Sequence, residues 1–171
     1  MYKIGDTVVY RRNVCKVVDL IKSDTMHEDC YVLRPCMMEN GSMQMQVPVS
    51  NKAGHLRDLI TKEELQALIE RMQDMDTLEN KSANMRSQYA AIMKGDSVED
   101  LITIIKTGYF RNALREKNHK KTASIDEEYL NKAETYLYNE LSFVLHMPPE
   151  ECRTYFNMAV AKQAKSHKKK R

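Results

Sequence analysis

The hydrophobic period of this chain changes once, at Thr61, and that change limits the fold more than any other feature. Before it, apolar and polar residues alternate, as they do in strands with one buried face. "DTVVYRR", "VCKVVDLI", "DCYVLRP" and "MQMQVPV" read this way, and "HLRDLI" is a candidate fifth. Turn residues fall between the runs at Asn40-Gly41, Ser50-Asn51 and Gly54. Pro48 has no N–H to give to a ladder, so the fourth run suits an edge strand or a strand end. Strands this short cannot form a large flat sheet. Curling into a small barrel buries one face and removes most free edges.

From Thr61 onward the period is helical. Thr61 and Glu64 have capping-box spacing, and Leu65, Leu68, Ile69 and Met72 then fall on one face. "DMDTLENKSANM" is polar and weakly patterned, which places a joint there. A helix over "SANMRSQYAAIMKG" follows, with Gly95 as its C-cap. Ser97 and Asp100 start the next helix, whose inner stripe is expected along Leu101, Ile102, Ile105, Tyr109 and Ala113. "REKNHKKTA" is a polar basic loop. Ser124 with Glu127 makes a second capping box, followed by Leu130, Ala133, Leu137, Leu141, Val144 and Leu145 at helical spacing. Met147-Pro148-Pro149 stops that helix and starts a last one, with Tyr155, Phe156 and Ala159 expected to face inward. The layout is α+β: a small β-barrel over 1–60, a connecting helix over 61–75, a helical domain over 76–163, and a basic tail at 164–171 expected to be disordered.

Charge restricts the partners. Residues 1–75 hold 10 basic and 11 acidic side chains, and 76–171 hold 17 and 13. Six of those 17 lie in the terminal "KQAKSHKKKR", so the body is not basic all over. Any nucleic-acid contact must be local or made by the tail. The strongest local cluster runs from Lys106 to Lys121, where Lys106, Arg111, Arg115, Lys117, Lys120 and Lys121 meet one acid, Glu116. Arg111 and Arg115 are one helical turn apart. The cluster fits phosphate contact and equally fits a solvated helix C-terminus.

No constellation for catalysis is present. The chain lacks a phosphate-cradling glycine loop, G-x-S-x-G and H-E-x-x-H. Glu63-Glu64, Glu127-Glu128 and Glu150-Glu151 sit in first helical turns, where acids offset the helix dipole, and His146 follows the last apolar turn of a helix. His27, Cys30 and Cys36 are the nearest approach to a zinc ligand set, but no pair is spaced C-x-x-C. Buried, reduced thiols are the better reading of the four cysteines, so no metal and no cofactor is expected. Among the 12 methionines, Met43 and Met45 alternate on one strand face and suit a docking surface. No apolar run approaches the roughly 18 residues of a membrane span. The N-terminus has no signal-peptide core, which points to the cytoplasm.

The ordered set "YKIGDTVVY", "YVLRP", "MQVPV", "LRDLITKEEL", Lys94-Gly95-Asp96, "DLITIIKTGYFRN" and "LNKAETYLYNELSFVL" resembles the CarD/CdnL-type transcription regulators over nearly the whole chain. The resemblance implies a Tudor/SH3-like barrel that binds the RNA polymerase β subunit by pairing an exposed strand edge with it. The polymerase-facing residues would then be Met43, Met45, Gln46 and Val47. It also implies a helical domain near promoter DNA that shifts open-complex stability, with no enzymatic activity and no small-molecule substrate. Two departures stand out. After Val8-Val9-Tyr10 the family usually has Pro-x-His-Gly; here it is Arg11-Arg12-Asn13-Val14. The family's tryptophan before the first helix of the second domain falls at Lys81, and the chain has no tryptophan. With that wedge absent, DNA contact would rest on phosphate charge through Lys81, Arg86, Arg111, Arg115 and the tail. A protein-interaction module without DNA contact is the alternative.

Overall fold

The computed structural model describes residues 1–38 and 43–170, and the chain divides into two compact units, Met1–Leu59 and Ile60–Arg171. The first is an antiparallel sheet of β1 (Thr7–Tyr10), β2 (Asn13–Ser23), β3 (Glu28–Pro35), β4 (Met45–Pro48) and β5 (Leu56–Arg57), in the order β4-β3-β2-β1-β5. Alternation puts Val8, Cys15, Val17, Tyr31, Leu33, Val47 and Leu56 into one apolar cluster. β4 is an edge strand, as Pro48 requires. The Asn40-Gly41 turn lies outside the described residues.

Two irregularities shape this sheet. Val17 pairs with Leu33 but Asp19 with Val32, so Val18 is an extra residue in β2, and the resulting bulge bends the strand. Between β1 and β2, Tyr10 faces Asn13 across a two-residue turn in which Arg11 and Arg12 have φ of 45° and 73°. Such turns match the strand twist but favour Asn and Gly. Two arginines there hold a left-handed backbone that costs a β-carbon residue energy.

The second unit holds α1 (Lys62–Arg71), 3-10 turns at Met72–Asp74 and Ser82–Asn84, α2 (Met85–Met93), α3 (Val98–Lys117), α4 (Ser124–Leu145) and α5 (Pro149–Lys169). Both halves of the Thr61–Glu64 capping box form, and Leu65, Leu68, Ile69 and Met72 are buried. α1 therefore packs into the helical core and is more than a connector. At about 1.5–3 kcal/mol for each fully buried large aliphatic side chain, that face anchors the helix firmly. Lys106 Nζ donates to the carbonyls of Met72 (2.7 Å), Gln73 (3.1 Å) and Met75, closing the open end of the α1 segment.

The buried stripe of α3 differs from the expected one. Leu101, Ile104, Ile105, Gly108 and Arg111 face inward, while Tyr109 and Ala113 lie outside. Gly108 is the cause: a Cβ there would stand 2.5 Å from Leu130 Cγ, so α4 approaches through the space a side chain would fill. Tyr109 turns its hydroxyl to Glu134 Oε1 (2.9 Å), which Arg153 supports from α5 across 2.6 Å to Oε2. On α5, Cys152 and Phe156 are the buried residues, and Tyr155 is exposed. α4 takes Ala123 as its N-cap with no side-chain cap, and Glu127 instead accepts from the Thr122 hydroxyl. α5 runs on to Lys169, where the sequence suggested a disordered tail; His167 Nε2 lies 3.5 Å from Asp74 Oδ1. Among the described residues, no helix is long and apolar enough to cross a membrane.

Candidate functional site

Two regions carry the residues singled out from the sequence, one in each unit. In the first, β4 pairs only with β3 among the described strands, leaving its other edge without a strand partner. Register alternation divides its side chains. Val47 is 4% exposed and Met45 packs against the same apolar cluster, whereas Gln46 points outward and Met43, just before the strand, is 50% exposed. The four expected polymerase-facing residues thus separate into two that hold the strand in place and two that present an outer surface. A free edge offers backbone N–H and C=O groups to an incoming strand.

In the helical unit the four cations expected to meet DNA have unlike surroundings. Lys81 and Arg86 are exposed, and each has an acid beside it: Glu79 at 3.0 Å and Glu128 at 3.3 Å. Glu128 also accepts from Lys132, and the hydrogen bonds from Lys132 and then Arg86 hold its carboxyl below its ordinary value. Exposed pairs of this kind exchange readily with other partners, because each is worth only about 0.2–1 kcal/mol. Arg115 is half-buried and donates through Nη1 to the Lys121 carbonyl at 3.3 Å.

Arg111 is a buried cation. Its side chain is 3% exposed, and its Nε donates to both oxygens of Asp126, at 2.9 and 3.1 Å. Nη1 donates to Asn80 Oδ1, and the Tyr89 hydroxyl donates to Asp126 Oδ1 at 2.6 Å. Burial, and then the bond to Asp126, push the Tyr89 hydroxyl well above its ordinary value. Arg111 and Arg115 share one side of α3, as their one-turn spacing suggests, but spacing takes no account of burial, and Arg111 is drawn inside. Asp126, fifteen residues on in the first turn of α4, supplies the counter-charge that makes burial tolerable. Lys106 is likewise drawn out of the basic cluster by its backbone carbonyls.

Around this network lies a groove of about 190 Å³, lined by Asn80, Ser82, Arg111, Arg115, Asn118 and Lys120 over Leu114. It joins the segment before α2 to the C-terminal end of α3. Asn80, Ser82 and Asn118 escaped the sequence reading, since polar residues in turns carry no periodic signal.

The remaining candidates have structural places. Glu63-Glu64 and Glu150-Glu151 occupy first helical turns, and His146 caps α4 in the left-handed region at φ 54°. Cys30 lies within β3 and Cys36 just past its end, roughly 20 Å apart along an extended chain. Burial raises the Cys15 thiol to about 12 and also raises Cys36, the signature of unreactive thiols. Among the described residues, no group of three or more His, Cys, Asp or Glu comes together to hold a metal ion. The chain matches no family model and no curated protein sequence.

Proposed function

We propose that this protein is a non-enzymatic transcription regulator of the CarD/CdnL type, working in the cytoplasm. In this reading the N-terminal sheet closes into a Tudor-like barrel that docks on the RNA polymerase β subunit through the outer edge of β4, with Met43 and Gln46 beside the docking strand and Met45 and Val47 beneath it. The helical unit lies near promoter DNA and changes open-complex stability by contacting one polymerase–promoter state better than another. The observation that carries the proposal is the outer edge of β4, which has no strand partner among the described residues, in a small antiparallel sheet followed by a helical unit, the element order of the resembled family. The DNA-facing cations are Lys81, Arg86 and Arg115, with Arg111 holding the Asn80 side chain beneath them.

One experiment tests the whole reading. The full chain should bind purified polymerase β subunit, and single-round transcription with and without it should differ in open-complex lifetime. Loss of β binding on replacing Met43 and Gln46 with aspartate would place the contact at β4. No binding of the unaltered chain to β overturns the family reading. Lys81→Trp should lengthen open-complex lifetime if Lys81 occupies the wedge position, and an unchanged lifetime would reject that alignment.

A second reading has its own support. Arg111 is internally paired, and Lys81 and Arg86 each have an acid within 3.3 Å, which lowers the charge available to a duplex. A module that binds polymerase or another protein without touching DNA fits those pairings. It predicts β binding with promoter kinetics unchanged across a salt series.

A further inference from the structure

We infer that the groove between the 80–82 segment and the C-terminal end of α3 is a binding site for one phosphate group. Its lining combines three cations, Arg111, Arg115 and Lys120, with the side-chain amides of Asn80 and Asn118 and the hydroxyl of Ser82. None of the lining residues is acidic. Three cations converge on a space of about 190 Å³, enough for roughly six waters at their share of liquid volume. Tetrahedral oxyanions suit such a place, because each oxygen accepts several N–H or O–H donors at once.

One wall of the groove is held rigid. Asp126 grips the Arg111 guanidinium at Nε, and Asn80 accepts from Nη1, so this cation lines the groove in one orientation. A buried, pre-oriented arginine has little conformational freedom left to lose when an anion arrives. The opposite wall is also braced. Asn118 Nδ2 donates to the Leu114 carbonyl at 2.9 Å, and the Lys120 N–H to the Arg115 carbonyl at 2.8 Å. These bonds occupy carbonyls at the α3 terminus, the end whose dipole would otherwise repel an anion. Arg115 and Lys120 then supply positive charge beyond the self-neutralised Arg111–Asp126 pair.

The phosphate can come from a nucleic-acid backbone or from a free phosphate compound. The first source rests on the function proposed above; the site itself does not. The test uses the full chain and inorganic phosphate followed by two-dimensional NMR, with sulfate as a second tetrahedral probe. Shifts should concentrate on Asn80, Ser82, Asn118 and the Arg111 Nε–H. Arg115→Ala with Lys120→Ala should weaken phosphate binding at least about tenfold, as expected for lost charged hydrogen bonds. Lys62→Ala with Lys94→Ala removes equal charge from two exposed lysines of the same unit that do not line the groove, and should leave binding intact. The single exposed substitution Lys120→Ala repeats the test if the double variant fails to fold. Shifts spread over all basic residues, or equal weakening by both double variants, would overturn the site.

A short DNA duplex then separates the sources. Loss of duplex binding in the groove variant, with a salt slope shallower by roughly one unit per removed cation, supports a backbone phosphate. Unchanged duplex binding beside lost phosphate binding supports a free phosphate compound in the same site. A chain that binds phosphate here yet ignores polymerase keeps the site and loses the transcription reading, so the two failures are distinguishable.

Discussion

Arg111 Nε stands 2.9 Å from Asp126 Oδ1 in the helical core, with the two side chains 3% and 0% exposed. The Tyr89 hydroxyl and Asn80 complete the network, so one ion pair ties together α2, α3, α4 and the segment leading into α2. Removing one partner leaves a buried charge alone. Arg111→Ala should lower stability by about 3–5 kcal/mol, and Arg111→Met combined with Asp126→Leu should recover most of the loss. Urea unfolding followed by circular dichroism measures both. A single-variant cost below about 1 kcal/mol would mean that the pair behaves as an exposed one.

Gly108 and Leu130 form a second coupled pair. Gly108→Ala gains about 1 kcal/mol of helix propensity but forces a methyl against Leu130, an overpacking cost of about 1–3 kcal/mol. A net loss of stability is expected in the native background. With Leu130→Ala already in place the clash is gone, and the same Gly108→Ala change should then stabilise. A double-mutant cycle reads this reversal of sign, and additive effects would refute the close approach.

The turn between β1 and β2 stores backbone strain. Arg11→Asn places a residue suited to the left-handed region at φ 45°, and should stabilise the first unit by about 0.5–1 kcal/mol. The gain is partly offset by loss of the Arg11 cation over the Tyr10 ring, 5.5 Å from its centroid. Thermal unfolding of the variant gives the net effect; a lower Tm would show that the ring contact outweighs the strain.

Alkali should unfold the helical unit through its buried tyrosines. Burial raises the hydroxyls of both Tyr89 and Tyr138 above the ordinary tyrosine value of 10.0. Both groups keep their proton longer in the folded chain than in the unfolded one. Their contribution is therefore fully present below pH 10.0 and lost as pH rises above it, by up to about 1.4 kcal/mol per pH unit for each. Chemical unfolding across alkaline pH, with tyrosinate absorbance followed in parallel, should show these two groups ionising together with loss of helix. Ionisation of every tyrosine at its ordinary value in a still-helical chain would contradict the burial. Tyr89→Phe should flatten the slope while lowering stability at neutral pH.

By itself the sequence determined the two halves and their element types. Period-two runs gave a sheet and period-3.6 runs gave helices, because the buried face of each element has to be apolar at its own repeat. The caps at Thr61 and Ser97 were legible because a hydroxyl three residues before an acid can act locally, though the same spacing at Ser124 and Glu127 forms none, since Ala123 takes the N-cap place. Only the tertiary structure decided where the charges went. Arg111 and Lys106 look like surface cations in the sequence, and each is taken inside by a partner distant in the chain: Asp126 for one, the Met72 and Gln73 carbonyls for the other. Tyr109 and Ala113 lost the inner stripe of α3 to Gly108 and Arg111 because α4 approaches through the space that Gly108 leaves. Periodicity records which residues avoid water; it carries no account of which distant group satisfies a polar one, and in this chain the groove at the end of α3 is built from such pairings.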